Sequence, residues 1–174
     1  MFSLETLNID LKGMMEDSQE TSHVLGDEYF ESLEDAQIQK GKVNVTTSIR
    51  KAGGDGFVLK ISVEGVVTVQ CDRCLDDMEQ PVKAESSYTV RLGQGSEEAD
   101  DIITVDENEG ILRPGWFIYE LIALAIPIKH VHAPGKCNDA MTRKLEELSA
   151  TRSGDEVAED AVDPRWAELG KLKI

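Results

Sequence analysis

Val66-Val67-Thr68-Val69-Gln70-Cys71-Asp72-Arg73-Cys74-Leu75 is a β-branched apolar run that ends in a Cys-x-x-Cys turn. β-Branched side chains are stiff at χ1 and pack well on a pleated surface, so the run reads as a strand. Upstream, Val43, Val45, Thr47 and Ile49 alternate with Asn44, Thr46 and Ser48, while Phe57, Leu59, Ile61 and Val63 alternate with Lys60, Ser62 and Glu64. Period-two alternation of this kind marks half-buried strands. Between them Ala52-Gly53-Gly54-Asp55-Gly56 supplies the positive φ angles of a hairpin loop. Gly65 interrupts the second strand, which predicts a bulge or tight bend. Downstream, Val82, Ala84, Ser86, Tyr88, Val90 and Leu92 complete an antiparallel meander, and Ile102-Ile103-Thr104-Val105 adds one more strand.

The flanks follow from the same rules. Leu7-Asn8-Ile9-Asp10-Leu11 alternates as a strand, whereas Lys12 to Gln39 is polar and acidic, with Tyr29-Phe30 and Leu33 as its strong anchors. That segment reads as a short helix around Gly26 to Leu33 or as an ordered loop. Pro114 suits the first position of a helix. The helix carries Trp116, Phe117, Ile118, Leu121, Ile122, Leu124 and Ala125, apolar on nearly every side, and so is expected to be buried against the sheet. Pro127 ends it. A loop from Ile128 to Cys137 turns at Pro134-Gly135, and Asn138 or Asp139 can cap a helix with Met141, Leu145 and Leu148. The fold class expected is α+β: an antiparallel β-meander, or a partly closed barrel-like sheet, packed by a buried helix. Residues 1–150 are expected to form one domain, 151–162 an acidic flexible linker, and 163–174 a short helix or docking motif with Trp166, Leu169 and Leu172 at helical spacing.

Thirty-four acidic residues against 18 basic give a net charge of −16. Nucleic-acid affinity rests on Lys and Arg displacing counterions, so such a chain binds RNA weakly and favours basic proteins as partners. Lys129, His130, His132 and Lys136 form the one local basic cluster, with Arg73 near it if the cysteines meet. No apolar run is long enough to span a bilayer and no secretory signal is visible, which predicts a cytoplasmic protein.

Three cysteines without a signal point to reduced thiols, metal ligation or redox chemistry, and away from a disulfide framework. Zinc takes tetrahedral Cys and His ligands, often two from a Cys-x-x-Cys knuckle. Cys71 and Cys74 would be that knuckle, with Cys137 and His132 completing the set and His130 the competing ligand. A redox pair needs a low-pKa thiolate, and Asp72, Asp76 and Asp77 are expected to raise a thiol pKa instead. Free thiols in a tight turn remain the plain alternative. No nucleophile elbow, zincin helix or phosphate loop is present, and no enzyme is expected.

Three stretches together resemble the YceD family of bacterial and plastid proteins. They are Val69 to Leu75, then Glu120 to Pro127 leading to His132 and Cys137, and finally Asp163-Pro164-Arg165-Trp166 with Leu169 and Leu172. The resemblance spans the chain from about residue 40. It implies a non-enzymatic role in large ribosomal subunit biogenesis, supporting 23S ribosomal RNA accumulation. It also implies that Cys71, Cys74, His132 and Cys137 recur as a group, although some members carry further cysteines beyond the last of these and this chain has none. Together with the charge, it implies a basic large-subunit ribosomal protein or a pre-ribosomal particle as partner. Candidate contact residues are Arg73, Lys129, Lys136, Trp166 and Leu169, with the acidic stretches Glu97 to Asp101 and Asp155 to Asp163.

Overall fold

In the computed structural model the chain runs through a 3-10 turn (Leu4–Leu7), β1 (Ile9–Asp10), β2 (Ser18–Leu25), α1 (Asp27–Glu31), β3 (Lys40–Lys51), β4 (Gly56–Gln70) and β5 (Asp77–Gly93). It continues through β6 (Ile102–Asp106), β7 (Ile111–Leu112), α2 (Gly115–Leu124) and α3 (Asp139–Leu148). The structure describes residues 3–33, 38, 40–54, 56–94 and 102–148. The chain divides into two compact units, Met1–Asn138 and Asp139–Ile174. In the second, the described residues form α3, on which Met141, Leu145 and Leu148 share one face by helical spacing. The expected linker 151–162 and terminal segment 163–174 lie outside the described residues.

The first unit is built on a five-stranded sheet ordered β2-β3-β4-β5-β6, beside a two-stranded ribbon of β1 and β7. Strands β2 to β5 pair antiparallel, as the meander requires. β6 pairs parallel to β5, so the sheet is mixed rather than wholly antiparallel. It is also open, with β2 and β6 at its edges, and does not close into a barrel. Val43, Val45 and Ile49 face Gly65, Val63 and Leu59 across β3 and β4, and the same row continues into Val82, Ala84 and Tyr88 of β5. One face of the sheet is therefore the core. Thr47 sits in that core at 3% exposure, and its hydroxyl is satisfied by Thr21 Oγ1 across the β2–β3 pair at 2.7 Å.

Gly65 does not interrupt β4. The register on both sides is unbroken from Gly56 to Gln70, so there is no bulge. The glycine instead admits the backbone of β3 at Lys42 and Val43, which a side chain would meet.

Two helices cover the core face. α1 buries Tyr29 and Phe30, and its Asp27 carboxylate accepts from the Gly41 N–H at 2.9 Å. α2 buries Ile118, Tyr119, Leu121 and Ile122. The expected burial against the sheet is made by that stripe, while the opposite side is open: Leu124 is 83% exposed and Trp116 about half exposed. Trp116 lies along the helix surface, its indole N–H donating to Glu120 Oε1 at 2.9 Å.

The Tyr29 phenol ties the two helices together by donating to the Gly115 carbonyl at 2.7 Å. Burial, and the neighbouring Tyr119, push its pKa well above the ordinary phenol value. Tyr29→Phe should lower stability by about 1 kcal/mol in urea unfolding at neutral pH. The unfolded phenol ionises near pH 10 while the folded one stays protonated, so the stabilisation is present below about pH 10 and declines above it. The wild type should therefore lose its margin over the Phe variant as the pH rises further. A margin independent of pH would refute this account.

Candidate metal centre

Cys71 directly follows β4, and the turn it opens is closed by backbone bonds. The Leu75 N–H donates to the Cys71 carbonyl and the Cys71 N–H to the Asp76 carbonyl, both at 2.9 Å, so that β5 can start at Asp77. Cys71 and Cys74 are both buried. The second half of the site comes from the loop after α2, where Pro127 stops the helix and Gly135, at φ 77°, allows the turn that brings Cys137 back.

Asp72 holds the two halves together. Its N–H donates to the His130 carbonyl at 3.0 Å, and its Oδ2 accepts from the His130 N–H at 2.7 Å. The His130 ring is engaged outside the cluster, with Nδ1 3.1 Å from the Pro127 carbonyl and Nε2 3.6 Å from Asp72 Oδ1. Asn138 adds a further tie, donating from Nδ2 to Asp76 Oδ2 at 3.2 Å.

These constraints gather Cys71 Sγ, Cys74 Sγ, a His132 ring nitrogen and Cys137 Sγ within 4.8 Å of one another. Cys71 Sγ lies 3.9 Å from Cys137 Sγ, and Cys74 Sγ lies 3.3 Å from His132 Nδ1. A zinc tetrahedron with Zn–S near 2.3 Å and Zn–N near 2.0 Å has edges of about 3.5–3.8 Å. The donor set and its spacing therefore fit zinc. His130, the alternative candidate, is not in that group; its ring contacts Asp72 and Pro127 instead.

The electrostatics favour one thiolate. Burial opposes charge on Cys71, but the backbone N–H groups of Cys74, His132 and Arg73 outweigh it and bring the thiol down to about 6. The Arg73 and His132 N–H groups reach Cys71 Sγ at 3.4 and 3.5 Å. This corrects the expectation that Asp72, Asp76 and Asp77 would raise the thiol, since the turn aims amides at the sulfur while Asp72 turns away to His130. Burial pushes the Cys137 thiol up to about 11, reinforced by its contacts with Cys71 and Cys74. His132 is raised, chiefly by its contact with Cys71. A buried thiolate hemmed in by Cys137 and His132 is poorly placed for thiol exchange, which needs access as well as a low pKa.

A family model described as large ribosomal RNA subunit accumulation protein YceD matches residues 59–173, about two thirds of the chain. The chain belongs to the YceD family. No curated protein and no solved structure matches. The YceD match opens within β4, leaving β1, β2, α1 and β3 outside it, a later start than the residue 40 suggested by the motifs. It contains all four residues of the cluster. The family description sets the role in accumulation of large-subunit ribosomal RNA.

Among the other residues singled out from the sequence, Arg73, Lys129 and Lys136 are exposed on the two segments that frame the cluster. Trp166, Leu169 and both acidic stretches lie outside the described residues. Asp72 as the clasp and Leu75 as an exposed left-handed residue were not legible beforehand, because both roles depend on how the turn is closed.

Proposed function

We propose that this YceD-family chain is a non-enzymatic, cytoplasmic factor in large-subunit biogenesis that acts by binding a basic ribosomal protein. The observation that carries this reading is the net charge of −16 on a chain whose family serves ribosomal RNA accumulation. Such a charge steers basic proteins inward and disfavours phosphate. We further propose that Cys71, Cys74, His132 and Cys137 hold a structural zinc ion that staples the loop after α2 to the end of β4. Four protein ligands leave no open coordination position, which is the arrangement of structural rather than catalytic zinc.

Direct RNA contact is the second reading, favoured by Lys42, Arg50, Lys60 and Arg91, all exposed on the face of the sheet opposite the core, and by the Arg73, Lys129 and Lys136 rim. Affinity purification of tagged protein from cells, with and without nuclease, separates the two. Basic large-subunit proteins should remain bound after nuclease treatment. Loss of all of them on nuclease treatment, with a steep salt dependence of binding to a ribosomal RNA transcript, would transfer the role to RNA.

A further inference from the structure

Leu75 combines two features that its turn does not require. Its φ is 64°, and it is the one non-glycine at positive φ among the described residues. A branched side chain rarely adopts that region, and glycine or asparagine would close the same turn between Cys71 and Asp76 without strain. Its side chain is nonetheless 60% exposed, so no core contact accounts for a leucine there. Strained residues persist where the surroundings over-determine them, and they concentrate at sites of function.

The side chain stands on the rim of a groove of about 620 Å³ between the end of β4 and the C-terminal end of α2. Val69, Tyr119, Ala123, Ile126 and Ile128 line it with Leu75, and the polar side chains of Thr68 and Gln70 share the lining. Val69, Ala123 and Ile126 are half-buried and pack on the core, giving a firm floor. Ile128, another lining residue, is fully exposed. Lys40, Asp72, Asp77 and His130 also line it, one basic and two acidic side chains besides the imidazole, so the groove itself carries little net charge.

Charge on the larger scale selects the occupant. A second copy of the chain brings a further −16, and RNA brings phosphates, so both are repelled. A basic protein is attracted, and an apolar side chain on it fits the seat. We propose that this groove seats an aliphatic or aromatic side chain from a Lys/Arg-rich segment of a basic ribosomal protein, with Leu75 and Ile128 closing over it. The proposal rests on the basic-protein reading above and adds the contact that gives it specificity.

The test titrates purified, RNA-free large-subunit ribosomal proteins one at a time into the full-length chain, read by fluorescence anisotropy, with melting temperatures measured in parallel. For the protein that binds, Leu75→Gly and Ile128→Ser should each weaken affinity by about tenfold or more, the effect of uncovering one aliphatic side chain. Leu75→Gly should leave the melting temperature unchanged or raised, since glycine relieves the backbone. Wild-type affinity in both variants would overturn the groove while leaving the basic-protein reading standing. Binding of none of these proteins would overturn both. Self-association in sedimentation equilibrium that Ile128→Ser abolishes would give the groove to a second copy, and competition by a ribosomal RNA transcript lost in the same variant would give it to RNA; either result overturns the proposal.

Discussion

Gly65→Ala should lower the stability of the protein by roughly 4 kcal/mol, far outside the range of an ordinary strand glycine substitution. The added methyl group lands against the Lys42 carbonyl oxygen and 2.6 Å from the Val43 Cα. Both are backbone atoms of the neighbouring strand, so no side-chain rotation can make room. β3 would have to retreat along the row where Val43 faces Gly65, in the middle of the core and between two long ladders. Several hydrogen bonds of the β3–β4 pair would lengthen together, each worth about 1 kcal/mol. Gly93→Ala is the control. Its added methyl meets only Thr104 Cγ2 at an ordinary 3.7 Å, so the change should stay within about 0.5 kcal/mol. Urea unfolding of the two variants decides the matter, and equal effects would show that β3 does not approach as described.

The second large effect concerns zinc. Purified protein should contain stoichiometric zinc by elemental analysis, and a strong chelator should lower its stability by about 4 kcal/mol, the linkage expected when free metal exceeds its dissociation constant about a thousandfold. Cys71→Ser, Cys74→Ser, His132→Ala and Cys137→Ser should each lose the metal. His130→Ala should retain it, because that ring points to Pro127 and Asp72. The pH dependence follows from the thiols. With Cys137 raised to about 11, loading near neutrality must displace its proton, whereas Cys71, at about 6, is already largely ionised. The stabilisation by metal is therefore present at neutral and alkaline pH and falls as the solution is acidified. A trace of zinc only, with a melting temperature indifferent to chelator, would remove the metal from the account.

What could be read from residues alone follows burial. β3, β4 and β5 were legible because one of their faces is core, and burial writes alternation into a strand. β2 was not. Ser18 to Leu25 pairs along its whole length with β3, but it is an edge strand with only Leu25 fully buried, so its polar sequence carries no period. Polar composition at an edge protects against pairing with other chains, and it hides the strand for the same reason. The parallel pairing of β6 was equally out of reach, since Ile102 to Val105 reads the same in either direction. The four residues of the cluster were legible from their types and spacing, with His132 placed ahead of His130. What was not legible is how the His130 backbone is held, because that depends on Asp72 reaching across to it, a contact between residues far apart in the chain.

That long-range clasp also bears on how the loop after α2 and the cluster depend on each other. Asp72 and His130 exchange hydrogen bonds through backbone and carboxylate, and neither uses a sulfur or a ligating nitrogen. The loop after α2 therefore has an attachment to the end of β4 that uses none of the four side chains of the cluster. Substitutions at Cys137 or His132 leave the atoms of that attachment in place, so the contribution of the cluster and the contribution of the clasp can be weighed separately.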